Sequence, residues 1–193
     1  MEDTLAQQRS RTNRILALGA GVVVHMMVCW AVFTMGYMAI EPAQFVALVS
    51  IAVAGFVVFV LFVFMEWNLT LEDPNMSLPQ MLWAVTVVIM TAHFVADMKA
   101  VVVLSGLALI VVGANRLSGK ELVIFAIWSL AAYAISLAMR AQESDIAWIS
   151  EGLMMVAFGL VLVFGPLLYR YEMALVERVL LEKNEQLNTA LRQ

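Results

Sequence analysis

Polar and charged positions in the chain are clustered: before Ile15, from Glu66 to Asp73, at Asp97 and Lys99, from Arg116 to Glu121, from Arg140 to Asp145, and after Tyr169. Between them lie apolar runs at 15–40, 43–67, 78–96, 100–114, 122–139 and 146–169. Crossing the hydrocarbon of a bilayer takes about 20 mostly apolar residues, with a tolerated range of roughly 17–25. The pattern therefore predicts six membrane-spanning helices. A single helix running through Asp97 and Lys99 would be too long for any bilayer, so a tight hairpin is expected there, with a short fourth span. The expected fold class is all-α: a six-helix transmembrane bundle over 15–169, preceded by a segment over 1–14 and followed by a cytoplasmic signalling helix over 170–193.

Beyond Arg170 the hydrophobicity falls, but Tyr169, Met173, Val176, Leu180, Lys183, Leu187 and Ala190 recur at alternating steps of four and three. That spacing is a heptad seam. A second track through Leu180, Asn184, Leu187 and Leu191 contains an extra four-residue step, so two registers compete within one helix. The alternative is an amphipathic helix lying on the membrane surface. Glu177, Glu182 and Glu185 leave it no basic face for anionic lipid, which favours the coiled coil. A heptad helix cannot bury its own seam, so a parallel homodimer through the last helix and the coiled coil is expected.

Composition agrees with a membrane location. The chain is 63% hydrophobic and 13% charged, with a mean hydropathy of +0.91, more apolar surface than a soluble domain of this length can hide from water. A net charge of −4 and the absence of a Lys/Arg block beyond Arg9, Arg11 and Arg14 give no footprint for nucleic acid. The lone Cys29 excludes a disulfide framework. Lys and Arg concentrate in cytoplasmic loops. With the amino terminus inside, Arg9, Arg11, Arg14, Arg116, Lys120 and Arg170 fall on the cytoplasmic side, against Lys99 and Arg140 outside. Both termini are thus expected in the cytoplasm, with Trp67, Trp83, Tyr169 and Tyr171 at the inner interface and Tyr37 and Trp148 at the outer one.

The longest cytoplasmic loop, 68–80, turns at Asp73-Pro74 and reaches Ser77 and Gln80, which are spaced as a capping box for the third helix. On Asp73-Pro74-Asn75-Met76-Ser77-Leu78-Pro79-Gln80, on Phe94-Val95-Ala96-Asp97, and on the continuous last span into a Glu-rich coil, the chain resembles the six-helix MASE-type membrane sensor regions that precede GGDEF diguanylate cyclase domains in bacteria. The resemblance covers nearly all of the chain from Glu66 onward. It implies a multi-pass protein of the bacterial inner membrane whose last helix leads through a coiled coil to a C-terminal GGDEF output domain, which makes cyclic di-GMP from GTP as a dimer. No GGDEF motif occurs in these 193 residues, so no catalytic residue is assigned to them.

Ionisable residues inside a span are costly and usually face the bundle interior. Both histidines of the chain, His25 and His93, fall in spans, at depths that differ by a few ångströms at about 1.5 Å per residue. Gly21, Cys29, Val32 and Gly36 follow the His25 face, leaving room for something flat; Thr86, Met90 and Asp97 follow that of His93, with Asp97 spaced to accept a hydrogen bond from it. Two such imidazoles suit a six-coordinate haem b iron, with Asp97 as outer partner. Equally, small residues allow close helix packing, and a hydroxyl or carbonyl can satisfy each histidine. The fourteen methionines lack a close Met-x-x-Met spacing and read as apolar filler.

The leading expectation is a sensory input domain that regulates a cytoplasmic diguanylate cyclase through the seam residues Met173, Val176, Leu180 and Leu187. A haem-bearing electron-transfer protein and a passive dimerising anchor are the alternatives.

Overall fold

The computed structural model describes residues 2–71, 73, 76–95, 97–114, 117–143 and 148–190. Among the described residues the chain is helical: α1 (Glu2–Thr34), α2 (Pro42–Phe64), α3 (Ser77–His93), α4 (Lys99–Ala114), α5 (Gly119–Glu143) and α6 (Trp148–Ala190), with a 3₁₀ turn at Trp67–Thr70 after α2. Each expected apolar run forms its own helix, including the short fourth one. Pro74, Arg116, Asp145 and Leu191 lie outside the described residues, as do the side chains of Arg9, Arg11, Arg14, Tyr169, Glu177, Asn184, Glu185, Leu187 and Ala190.

The helix ends are set by local chemistry. At the start of α2, Pro42 occupies the first turn, where its missing N–H costs nothing, and the Gln44 side chain accepts the Glu41 N–H at 2.9 Å. Ser118 and Glu121 form a reciprocal box at the start of α5: Ser118 N–H donates to Glu121 Oε2 at 2.7 Å and Glu121 N–H to Ser118 Oγ at 3.4 Å.

The box expected between Ser77 and Gln80 is replaced by a different cap. Ser77 is the first residue of α3, and its N–H donates to the Asp73 carboxylate at 2.6 Å, so the anion sits at the positive end of the helix.

Two spans end earlier than the apolar pattern indicates. α1 stops at Thr34, and Gly36 then takes φ +80°, a left-handed turn suited to glycine. α3 stops at His93, because Val95 leaves the helix to pair with Met38 in a single antiparallel bridge while Ala39 N–H donates to Phe94 O at 2.8 Å. This stitch joins the α1–α2 link to the α3–α4 hairpin.

The centre of the bundle is the α3–α4 pair. α3 also packs on α5 and α2, α4 on α1 and α6, and α5 on α6. Val85 on α3, Val102 and Ile110 on α4, Phe125 on α5 and Phe158 on α6 are fully buried in this core. The helices approach closely through glycine: a methyl group on Gly106 of α4 would overlap Val88 of α3, and one on Gly55 of α2 would overlap the Trp83 indole.

Among the described residues, three helices are long and apolar enough to cross a membrane: Pro42–Phe64, Gly119–Gln142 and Trp148–Lys183. In α2, an apolar helix all the way round, Phe45, Leu48 and Ala52 are buried while Val46, Ile51, Val57, Leu61 and Phe64 are exposed. α6 is one 43-residue helix that joins the expected last span to the expected tail. Pro166 sits inside it and removes one backbone hydrogen bond, a loss that buried or lipid-embedded helices tolerate.

Candidate functional site

His25 lies on the inner face of α1 with Cys29 and Val32, all three buried, and Gly21 is buried on the same face. Gly36, placed with this strip by its spacing, sits in the turn beyond the helix. The His25 ring bridges the two central helices. Nδ1 lies 2.8 Å from Ser105 Oγ on α4, and Nε2 lies 3.0 Å from Thr91 Oγ1 on α3. Cys29 Sγ, one turn along α1, is 3.6 Å from Nε2.

Each hydroxyl carries one proton. Ser105 Oγ has the Val102 carbonyl at 2.8 Å and Thr91 Oγ1 has the Val88 carbonyl at 2.9 Å. If both hydroxyls donate to those carbonyls, both ring nitrogens must donate and the imidazole is a cation. In a neutral ring one nitrogen is an acceptor, and the Cys29 thiol or Thr91 hydroxyl supplies its proton at Nε2. Rotating an O–H from its carbonyl to the ring therefore satisfies either neutral tautomer, with no movement of the helices.

His93 is turned to another part of the bundle. Thr91 and His93 are two residues apart on α3, about 200° around the helix at about 100° per residue. Thr91 meets α1, whereas His93 Nδ1 lies 2.9 Å from Ser136 Oγ on α5 and its ring stands edge-on to Phe94. Thr86 shares the His93 face as its spacing requires, and accepts a hydrogen bond from Trp128 Nε1 of α5 at 3.0 Å.

Asp97 does not share that face. α3 ends at His93, so the i+4 relation is broken, and Asp97 is exposed in the turn before α4. An iron takes one nitrogen from each ring, so His25 would have to give up Thr91 or Ser105, whereas His93 could keep Ser136 on Nδ1.

A second polar cluster joins α4, α5 and α6. Lys99 Nζ donates to both oxygens of Glu151, at 2.8 and 2.6 Å; Tyr133 Oη donates to Oε2 at 2.8 Å, and Arg140 to Oε1 at 3.2 Å. The Lys99 ammonium also lies 5.0 Å from the Tyr133 ring centroid. Side-chain exposure is 5% for Lys99 and 11% for Glu151, so the pair is withdrawn from solvent. Lys99 and Arg140, assigned to outer loops by their charge, thus converge at one end of the bundle on an acid in the first turn of α6. That acid lies within the last apolar run, an ionisable residue in a span, a signal that the sequence reading passed over.

No family model matches the chain, and neither the curated proteins nor the solved structures give a match.

Proposed function

We propose that this chain is the membrane-embedded input domain of a bacterial signalling protein, with six spans in the inner membrane and both termini in the cytoplasm. The observation that carries the reading is α6. Its first turn is held in the bundle by Lys99, Tyr133 and Arg140, and the same unbroken helix continues to Ala190. A stimulus that shifts the packing of α4 or α5 therefore acts directly on the helix that leaves the bundle. The stimulus must favour one arrangement over another, since equal affinity for both moves nothing.

The exposed apolar surface of α2, α5 and α6 supports lipid as the surroundings. α3 and α4, at about 25 Å and 24 Å, are short for a hydrocarbon core of about 30 Å, but they occupy the centre of the bundle, where their ends are covered by neighbours. On the outgoing part of α6, Met173, Val176 and Leu180 are each about half exposed, an unfilled seam that suits a homodimeric coiled coil. The resemblance at Asp73 to Gln80 supports a diguanylate cyclase as the output domain. Haem b on His25 and His93 is a separate proposal, in which iron would replace Thr91 or Ser105 as a partner of His25 while Ser136 would orient His93 through Nδ1.

A chimera with a diguanylate cyclase domain after Gln193 tests the central reading. Insertions of seven residues after Leu180 should preserve regulation, because they restore the seam; insertions of two should lock the output. A cyclic di-GMP yield that declines smoothly with inserted length would mean a passive tether.

A further inference from the structure

Four helix ends meet where Glu151 is bound: His93 is the last residue of α3, Lys99 the first of α4, Arg140 stands in the last turn of α5 and Glu151 in the first turn of α6. α3 packs on α4 and α5, and both of these pack on α6, so the four helices close a ring. The link from α3 to the Glu151 cluster runs along one face of α5. Tyr133, Ser136 and Arg140 fall within about 60° of one another around that helix, at about 100° per residue. Tyr133 and Arg140 donate to the two oxygens of Glu151, at 2.8 and 3.2 Å, and Ser136, between them, lies 2.9 Å from His93 Nδ1. A half-buried imidazole on α3 is therefore seated on the same strip of α5 that holds the start of α6.

The other titratable and charged groups at this end are Lys99 on α4, Asp97 in the turn before it and Glu41 at the start of α2, of which Asp97 and Glu41 are exposed. Glu143 follows Arg140 on α5, with its side chain outside the described residues. Among all of these side chains, an imidazole alone has its ordinary titration between about pH 5 and 8.

We propose that His93 is a proton sensor that controls the grip of the bundle on α6, with extracytoplasmic acidity as the stimulus. The inference rests on the reading of α6 as the output helix and on a cytoplasmic carboxyl terminus, which puts this end of the bundle at the outer surface of the membrane. Protonation adds a positive charge to the strip that carries the Arg140 guanidinium, and like charges repel most where little water screens them. Arg140 yields first. Its bond to Glu151 is the longest of the cluster, and its side chain, 19% exposed, has a way to water that Lys99, at 5%, lacks. Glu151 then keeps Lys99 and Tyr133, while the first turn of α6 loses its tie to the last turn of α5. Protons thus favour the loosened arrangement over the pinned one, the differential binding that a stimulus requires.

The test uses the full 193-residue chain in phospholipid nanodiscs, diluted with unlabelled chains. Nitroxides are placed at Gln142→Cys on α5 and Ile149→Cys on α6, both exposed positions, in a Cys29→Ser background. Dipolar EPR reads the distance between the labels from about pH 8 to about pH 5. The distance should lengthen on acidification. His93→Asn, which keeps a hydrogen-bonding group at the Nδ1 position, should remove the change, and Arg140→Gln should give the longer distance at every pH. Circular dichroism and elution position check that each variant is folded, and His93→Gln serves if the asparagine variant is not.

A parent distance that ignores pH, a response that survives without His93, or an Arg140→Gln protein that still responds overturns the proposal. A response lost in Glu143→Gln also overturns it, since the acting contact would then be an ion pair between His93 and Glu143. The assay needs no output domain, so its failure is distinct from failure of the signalling chimera.

Discussion

Lys99 Nζ lies within 2.8 Å of both carboxylate oxygens of Glu151, although the two residues are 52 positions apart, and the ion pair they form fixes the first turn of α6 to the first residue of α4. Removing one member of a buried pair leaves the other charge without compensation, at a cost of about 3–5 kcal/mol, whereas an apolar pair of similar volume can be neutral. Glu151→Gln should therefore lower the melting temperature in detergent by several degrees. Lys99→Met combined with Glu151→Leu should recover only part of the loss, because the Tyr133 hydroxyl and Arg140 also lose this acceptor. A Glu151→Gln protein that melts like the parent would show that the cluster does not hold α6.

The hydroxyl pair on His25 gives a coupled effect. Ser105→Ala leaves ring Nδ1 without a partner, at about 1–3 kcal/mol, and Thr91→Val leaves Nε2 only the Cys29 thiol at 3.6 Å. Both act through one ring, so the double variant should lose measurably more or less than the two single losses combined. Strict additivity in thermal unfolding would mean that the two bonds are independent of the ring.

A visible spectrum separates hydrogen-bonded histidines from haem ligands. If hydroxyls are the only partners of the two rings, protein made with ample haem shows no Soret band. A narrow Soret band with sharp visible bands on reduction, lost in His25→Ala and in His93→Ala, would establish a bis-histidine haem b.

Membrane topology is open to direct measurement. Reporter fusions at Gln193 and in the segment 142–145 should report opposite sides of the membrane. A periplasmic signal from Gln193 would end the six-span proposal.

Single cysteines at Val176 or Leu180, in a Cys29→Ser background, should crosslink into symmetric dimers in native membranes if the heptad spacing of the tail forms the proposed coiled coil. Persistent monomer would remove the coiled coil.

Helix number was readable because each helix contains one long apolar run, and the Asp97 and Lys99 break divides α3 from α4. The ends were less so. Residues 78–96 are apolar with scattered polar members, and nothing in that pattern shows that Phe94 and Val95 leave the helix to meet Ala39 and Met38. In the opposite direction, α1 begins at Glu2 because residues such as Gln7 and Gln8 are good helix formers without being apolar.

The histidines were identifiable as interior residues, but not their partners. Thr91 and Ser105 stand 66 and 80 positions from His25, and the rotation of α1 against α3 that brings them together is decided by side-chain packing between helices, which hydropathy does not encode. Ser118 and Glu121 were the reverse case: the box is written in adjacent residues and was passed over among the loop charges.

The placement of Glu151 has a mechanical consequence. The ion pair pins the start of α6, and Phe158, Leu162 and Pro166, about two to four turns further on, are buried in the bundle. The arm beyond Pro166 runs about 36 Å to Ala190 at about 1.5 Å per residue. Held at separated points, α6 would pass a change of tilt along its length, and a tilt of about 8° where the arm leaves the bundle displaces its far end by about 5 Å, close to one helical turn.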